Sequence, residues 1–396
     1  MTTHYPIPLS MNELLVEARR LSGIDIIDTE VREPLEVLLY SLNTESRLHQ
    51  TGALAMQGKL LRLLCNRLRM MRDFAAHPEI ADQKINNPLF VLGMARSGTT
   101  KTHRVLSSTG DFNYMPYWQV QYPALFSGDP SESPQPRIDA ADSYLHWLDQ
   151  AAPESKTGHS FETFAAEEDS LLTEQCFVAP SFFAYSEVPS YMAWFMALGS
   201  QGMIRNFEFL KDVLKYLQWQ GLASPDKPWG LKAPTYYGFE PELLSVFPDA
   251  KLVMTHRTPL ATVPSICKLL EYFHMPFDDA RVDPIGLQGN LAELLKLHLH
   301  NRTEHANITI LDIPFEDVVQ DTGAVIEEIY RFAGISFTDA TQQKVHSWND
   351  NNPIHSKGKF KYSLEEFGLT KDAIEGDMAG YIAFINALKA RRGEQA

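Results

Sequence analysis

Leucine-rich segments with helical spacing occupy the first part of the chain. Apolar side chains recur every three or four positions in residues 11–21, 35–42 and 54–74, with polar turns between them. This period predicts amphipathic helices, so residues 1–85 are predicted to form a helical N-terminal region. Four arginines lie between the leucines of the third segment, and we expect them to form a solvated face of that helix. These are Arg62, Arg67, Arg69 and Arg72.

The pattern changes at residue 86 to short apolar runs that each precede a helical stretch. The runs are residues 89–92, 229–232, 251–256 and 308–312. Strands that alternate with helices predict a parallel sheet with crossover helices. We therefore predict an α/β fold for residues 86–396, a three-layer sandwich around a central, mostly parallel sheet. Ligands of such sheets bind at the carboxyl ends of the strands.

Composition and charge narrow the choice of partners. The chain has 396 residues, of which 44% are hydrophobic and 21% charged, as in an ordinary globular protein. The formal net charge of −15 argues against general binding to nucleic acid or to an anionic membrane, because both need basic faces. The N-terminus does not resemble a signal peptide, and no run of about eighteen apolar residues predicts membrane insertion. Any anion must be bound by a local basic cluster.

The cysteines are few and far apart. Cys65, Cys176 and Cys267 are odd in number and widely spaced, which fits neither a disulfide framework nor a zinc site. The expected location is a reducing cytoplasm. The sequence leaves a homo-oligomer open.

A loop with two glycines directly follows the first predicted strand and reads GMARSGTTKTH from Gly93. Gly93 and Gly98 allow a tight turn, and a helix that begins near Thr99 would direct its positive end at a bound anion. Thr100 adds a hydroxyl donor, and Arg96 adds a permanent positive charge. A nucleoside-triphosphate loop would have lysine after the second glycine. Alone, the pattern also fits a simple strand-to-helix turn with a capping threonine.

A second motif gives the loop its context. The predicted strand 251–256 ends in His256 and Arg257, and Ser265 follows eight residues after the arginine. Together the two motifs resemble those of sulfotransferases that use 3′-phosphoadenosine-5′-phosphosulfate (PAPS). The resemblance spans about residues 86–370 and is greatest to bacterial sulfotransferases whose loops read G-x-x-R-S-G-T-T.

The resemblance implies a P-loop-type fold and a set of donor-binding residues. In the family, the loop holds the 5′-phosphosulfate, and the arginine and serine of the second motif hold the 3′-phosphate. A late basic segment closes over the 3′-phosphate. The corresponding residues here are Arg96, Ser97, Gly98, Thr99 and Thr100 in the loop, Arg257 and Ser265 in the second motif, and Lys357, Gly358 and Lys359 in the late segment.

The resemblance also implies the reaction. The donor carries one 5′-phosphate capped by a sulfonate, so transfer to a hydroxyl acceptor depends on positioning and charge stabilisation, and no metal is expected. Arg96 corresponds to the residue at the bridging oxygen, and Lys232 to the lysine that contacts the sulfonate.

The general base is harder to place. Animal relatives have a histidine two residues after the strand-end lysine, where this chain has Pro234, and many bacterial relatives have glutamate where it has Gln119. We favour Glu168, then Glu167, as the base. Both also fit an acidic first turn of a helix. His103 is a further candidate, although a structural histidine behind the loop fits it better.

An aromatic stretch is the candidate for the acceptor pocket. Pockets for apolar ligands are lined by such side chains, so a small apolar or phenolic hydroxyl compound is the expected acceptor. The alternative is that part of the stretch faces the core. The aromatic residues are Phe177, Phe182, Phe183, Tyr185, Tyr191, Trp194 and Phe195.

Two other functions stay open. A P-loop kinase or NTPase would need a magnesium-binding acid, for which Asp312 is the candidate, and a loop lysine, which is missing. A nucleotide-binding protein without catalysis would explain Gln119, and Tyr236 where relatives often have histidine.

Overall fold

A four-stranded parallel sheet organises the α/β part of the chain. The computed structural model describes residues 9–305, 308–353 and 358–393. Within these residues the strands are β1 (Leu89–Leu92), β2 (Gly230–Lys232), β3 (Lys251–His256) and β4 (Ile310–Pro314), in the order β2-β1-β3-β4. Each strand lies within two residues of a predicted apolar run. The predicted fold class, a central parallel sheet with flanking helices and a helical N-terminal region, is confirmed.

Helices account for most of the remaining described chain. The α-helices are α1 (Met11–Ser22), α2 (Arg32–Thr44), α3 (Gln50–Ala76), α4 (Thr99–Ser108), α5 (Tyr117–Gln121), α6 (Gln135–Ala151), α7 (Ser155–Gly158), α8 (Pro189–Ala197), α9 (Ser200–Trp219), α10 (Glu240–Val246), α11 (Pro259–His274), α12 (Pro284–Glu304), α13 (Phe315–Gln320), α14 (Thr322–Ala333), α15 (Asp339–Asn351), α16 (Lys371–Asp377) and α17 (Ala379–Gly393). Short 3-10 helices span Pro78–Ile80, Asp169–Leu171, Thr173–Cys176, Pro180–Ala184 and Glu365–Phe367. No helix in the described ranges is both long enough and apolar enough to cross a membrane.

The strands are short, apolar and buried. All four residues of β1 are buried, and β1 pairs with β2 on one side and β3 on the other. Parallel strands that are covered on both faces read as continuous apolar runs, which explains why the sequence pattern located them. In the register, Leu92 of β1 lies beside Met254 of β3, and Val91 lies beside Lys232 of β2. The segments that follow these three strands therefore begin at one edge of the sheet.

The chain divides into two compact units. The first unit comprises Met1–Ile85, Met115–Pro225 and Leu270–Arg281. The second unit comprises Asn86–Tyr114, Asp226–Leu269 and Val282–Ala396, and it contains the sheet. A boundary after Ile85 is common to this division and to the sequence-based one, but the first unit also takes later segments. The simpler assignment of residues 1–85 and 86–396 to two domains stays a prediction.

The core of the first unit joins the N-terminal helices to the aromatic stretch. Leu14, Leu35 and Leu60, from α1, α2 and α3, pack in one buried cluster with Phe177 and Tyr191. The cluster also includes Phe182, while Phe183, Tyr185 and Trp194 are only partly buried against it. Several of the aromatic residues expected to line an acceptor pocket are therefore core residues.

The arginines of α3 correct one prediction. Arg67 forms a buried ion pair with Asp28, and the guanidinium of Arg69 lies 4.5 Å from the centre of the Phe126 ring. Arg72 donates to the carbonyl of Leu125 at 3.0 Å. The expected solvated face was wrong, because other segments of the first unit cover this side of α3. Helical period identifies the most apolar face but does not show whether the opposite face is also covered.

Candidate functional site

The loop after β1 has a backbone that requires glycine at two positions. Gly93 and Gly98 have φ angles of 131° and 100°, values that residues with a side chain rarely adopt. A Cβ atom at Gly93 would lie 2.5 Å from the carbonyl oxygen of Thr255, and one at Gly98 would lie 3.2 Å from the ring of Phe315. The loop thus runs against β3 on one side and α13 on the other, and α4 begins directly after Gly98.

Ser97 fixes the loop to the sheet. Its side chain is fully buried, and its Oγ donates to the carbonyl oxygen of Met94 at 2.6 Å. The same Oγ lies 2.8 Å from Oγ1 of Thr255 on β3. Next to it, Arg96 has a φ angle of 72°, in the left-handed region. Strained residues of this kind occur where a functional group must be held in one place.

Two predicted arginines meet at this loop. Nε of Arg96 donates to Oγ of Ser265 at 3.1 Å, and Nη1 of Arg257 donates to the backbone carbonyl of Arg96 at 3.0 Å. Residues that are 169 and 161 positions apart in the chain are therefore in direct contact. The structure joins the loop motif and the second motif into one site.

Aromatic side chains surround both guanidinium groups. Arg96 lies 4.9 Å from the centre of the Phe360 ring, and Arg257 lies 4.4 Å from the centre of the Phe315 ring. Nη2 of Arg257 also contacts the hydroxyl of Tyr362 at 3.5 Å. Sequence analysis did not identify these aromatic residues. Phe360 and Tyr362 directly follow the predicted basic segment, and this proximity was the only available signal.

The two guanidinium groups raise each other's electrostatic cost. Burial lowers the pKa of Arg96, and the positive charge of Arg257 lowers it further. An arginine nevertheless stays protonated at any physiological pH. Two adjacent positive charges, together with the positive end of α4, form a site that a bound anion would stabilise.

Lys232 lies at the same edge of the sheet. It is the last residue of β2 and is fully buried, and its Nζ donates to Oγ1 of Thr100 at 3.3 Å. Thr99, the first residue of α4, is also buried. The structure thus brings Lys232 to the helix that follows the loop, as the resemblance predicted.

The other predicted residues of the second unit have different positions. The side chain of His103 is buried, and its Nε2 donates to the carbonyl oxygen of Gly230 at 3.0 Å, which ties α4 to β2. Lys357 lies outside the described residues. Gly358 and Lys359 are exposed, and Gly358 has a φ angle of 103°.

Asp312 is bound by two cationic partners. Arg302 donates to both of its carboxylate oxygens, at 2.8 and 2.7 Å, and Nε2 of His256 lies 2.9 Å from one of them. Burial alone would raise the pKa of Asp312, but the hydrogen bonds from His256 and Arg302 outweigh it and hold the pKa below its usual range. A carboxylate engaged in this way is a poor candidate for a magnesium ligand, which weakens the kinase alternative.

The candidate bases belong to the first unit. Glu167 is buried, and both of its carboxylate oxygens accept hydrogen bonds from Nε2 of His159 at 3.0 Å. Glu168 is partly buried, and its carboxylate accepts from Oγ of Ser170 at 3.4 Å. The ligand atoms of His159, Glu167 and Glu168 lie within 4.8 Å of one another, so this cluster could take up a proton or a cation. Sequence analysis did not identify His159 as a candidate.

Comparisons with known proteins agree on the family and the fold. A family model described as "Sulfotransferase family" matches residues 88–339. The crystal structure of sulfotransferase STF1 from Mycobacterium tuberculosis H37Rv is 25% identical and aligns with a TM-score of 0.75 over 95% of this chain and 100% of that chain. Sulfotransferase STF9 from Mycobacterium avium is 23% identical, with a TM-score of 0.80 over 96% of this chain and 97% of that chain. No curated protein gives a significant sequence match.

Proposed function

The chain belongs to the sulfotransferase family, and from that premise we propose that it transfers a sulfonate group from PAPS to a hydroxyl of a small acceptor. The acceptor oxygen forms a bond to sulfur, the bond from sulfur to the phosphate oxygen breaks, and the hydroxyl proton passes to a base. The products are a sulfate ester and adenosine 3′,5′-bisphosphate.

The observation that carries this proposal is the contact between the two motifs. Arg96, Arg257 and Ser265 form one cluster, linked by hydrogen bonds of 3.0 and 3.1 Å. PAPS has anionic groups at both the 5′ and the 3′ position of its ribose, and two clustered arginines suit such a doubly anionic ligand. The loop lysine of a triphosphate site is absent, which favours PAPS over ATP.

Each donor-site residue has a proposed role. Arg96 stabilises the charge that develops on the leaving oxygen, and Lys232 neutralises the sulfonate. Ser97, Gly98, Thr99 and Thr100 provide backbone N–H groups and hydroxyls for the 5′-phosphosulfate. Arg257 and Ser265 bind the 3′-phosphate, and Lys357, Gly358 and Lys359 close over it. The reaction requires no metal in this proposal, because the charge is met by side chains and the start of α4.

Glu168 is the proposed general base, with Glu167 as the second candidate. Glu167 directs both oxygens to His159, so removing its charge would also affect the histidine. Glu168 is the more accessible of the two carboxylates. His103 is assigned a structural role, because its Nε2 holds the carbonyl of Gly230.

The acceptor class and the location are proposals as well. We propose an apolar or phenolic compound, on the basis of the aromatic residues in 177–199 that are only partly buried, namely Phe183, Tyr185 and Trp194. All three cysteines are free thiols, which supports the cytoplasm as the location.

Thermal unfolding with adenosine 3′,5′-bisphosphate tests the donor site directly. A ligand at one hundred times its Kd stabilises a protein by about 2.7 kcal/mol, which for a chain of this length raises Tm by roughly 3 °C. We expect this shift in the wild type and its loss in Arg257→Ala. Arg331→Ala is the matched control, because Arg331 is an exposed arginine of the same unit, and it should keep the shift.

The same experiment with magnesium and ATP separates the alternatives. A shift with magnesium-ATP alone would contradict the proposal and support a kinase or NTPase. A shift with the bisphosphate, but no product from PAPS with any of a panel of phenols and alcohols, would support a binding protein without catalysis.

A further inference from the structure

A cavity of about 510 Å³ opens in the first unit between α3 and α6. Its volume is within the range of small-molecule sites. Its walls are aromatic and apolar, and its polar groups are two cations from α3. The lining residues that matter here are Gly58, Lys59, Arg62, Tyr122, Tyr144 and Trp147.

Arg62 has aromatic neighbours but no anionic partner. Its guanidinium lies 4.6 Å from the centre of the Tyr144 ring and 5.7 Å from that of Tyr122. Its Nε and Nη1 atoms are buried without a hydrogen-bond acceptor among the described residues. A buried charged group without acceptors is unfavourable. An acceptor supplied by a ligand would remove this cost.

Lys59 does not compete for that role. It is buried beside Arg62 and forms an ion pair with Glu174. The hydroxyl of Tyr185 donates to Glu174 at 2.8 Å, and that of Ser181 donates at 3.1 Å. The charges of Lys59 and Glu174 cancel within this network. The cavity therefore keeps one net positive charge, that of Arg62.

Gly58 keeps the cavity open. It lies in the interior of α3, where glycine costs about 1 kcal/mol relative to alanine. A Cβ atom at Gly58 would meet no atom within 4 Å, whereas one at Gly52 of the same helix would lie 1.8 Å from the backbone of Phe277. Packing explains the second glycine but not the first. A side chain at position 58 would occupy the cavity.

From these observations we infer that the cavity binds an aromatic monoanion, a molecule with a flat apolar body and one oxyanion group. The body stacks between the rings of Tyr122, Tyr144 and Trp147, and the oxyanion accepts hydrogen bonds from Arg62. Carboxylate and sulfate groups share this chemistry. The inference does not depend on the proposed sulfonate transfer.

Calorimetric titration of the full chain tests the inference with three probes of one shape. These are 2-naphthoate, 2-naphthyl sulfate and neutral 2-naphthamide. We expect at least one anion to bind at least tenfold more tightly than the amide, because a charge-assisted hydrogen bond is added. Equal binding of all three probes, or no binding, would overturn the inference. The ratio of the two anions identifies the preferred oxyanion.

Two pairs of variants locate the site. Arg62→Gln should weaken anion binding about tenfold and leave amide binding unchanged, whereas Arg69→Gln, in the same helix but outside the cavity, should change neither. Gly58→Leu should abolish binding of every probe, and Gly58→Ala should retain it. Binding should also survive Arg257→Ala, which excludes the arginines of the second unit as the site.

Folding is monitored by circular dichroism and Tm for each variant. If Arg62→Gln fails to fold, the Gly58 pair still decides. Retained anion binding in a folded Gly58→Leu protein would refute the assignment to this cavity.

Discussion

Lys59 is a buried lysine whose environment gives it an unusual pKa. Burial lowers this pKa from its ordinary value to about 8, although the charge of Glu174 opposes the change. We expect NMR of lysine labelled with ¹³C at Cε to show a midpoint near pH 8 for Lys59. Lys296 is the internal control, because its exposed pair with Glu293 raises its pKa. A Lys59 midpoint above pH 10 would show that burial does not dominate.

The same pKa predicts a change of stability with pH. Lys59 loses its proton near pH 8 in the folded state, but only near pH 10.4 in the unfolded state. Between these values unfolding takes up a proton, so the contribution of Lys59 to the free energy of unfolding rises with pH. Denaturation at pH 8.5 and 10 should show this rise in the wild type relative to Lys59→Met.

Glu168 is the residue on which the proposed chemistry depends most. Replacing it with glutamine preserves size and removes the proton acceptor, so we expect kcat to fall by roughly 10²–10⁴-fold. The thermal shift with adenosine 3′,5′-bisphosphate should be unchanged, because the donor site is in the second unit. Full turnover of Glu168→Gln would make His159 or Glu167 the next candidate, to be tested by His159→Gln.

Some site residues could be predicted from the sequence and others could not. Arg96, Arg257 and Ser265 belong to motifs with fixed local spacing, and the structure places them together. The environment of Arg62 could not be predicted, because its neighbours Tyr122 and Tyr144 are on helices 60 or more residues away. Periodicity along one helix contains no information about such neighbours.

The turn from β1 into α4 is the element on which donor binding depends. Gly98→Ala places a Cβ atom 3.2 Å from Phe315 and forces a side chain into a φ angle of 100°. We expect a loss of about 1–3 kcal/mol in stability together with the loss of the bisphosphate thermal shift. Gly334→Ala is the control, because its φ angle of 73° is similarly strained but no atom would lie near its Cβ.

A comparison of the two glycine variants separates their effects. If Gly334→Ala lowers stability and keeps the shift, while Gly98→Ala loses both, the loop geometry itself is required for binding. If Gly98→Ala keeps the full shift, the loop does not hold the nucleotide.

Elements with strong periodicity were predictable, and short ones were not. The strands of the sheet and helices α1 to α3 follow apolar patterns that the sequence displays directly. The segment from α7 to the 3-10 helix Pro180–Ala184 consists of short turns, and Phe177 within it has a φ angle of 57°. Tertiary contacts select such conformations, and no local pattern specifies them.

For the whole molecule, a net charge of −15 coexists with two local basic sites. The general negative charge disfavours polyanions such as nucleic acids, whose binding depends on extended basic faces. Small anions can still bind where arginines are enclosed, because a buried interaction is screened little by salt. The charge distribution thus favours small anions over large ones.

Hydrogen exchange can test both proposed sites in one molecule. Adenosine 3′,5′-bisphosphate should slow exchange in residues 93–102 and 257–265, and the tighter-binding naphthyl anion should slow it in residues 51–62 and 122–147. The reason is that a bound ligand opposes local unfolding of the segments that hold it. Protection of residues 51–62 by the nucleotide and of 93–102 by the naphthyl anion would reverse the assignment.

The contact between Arg96 and Arg257 opposes selection for stability to selection for activity. Without an anion, two adjacent positive charges make the folded protein less stable than one with a neutral donor at one position. A screen that selects only for thermal stability should therefore enrich Arg257→Gln, which keeps a hydrogen-bond donor and removes the repulsion. The enriched proteins would be robust and inactive, so any effort to stabilise this enzyme must exclude this pair from mutagenesis.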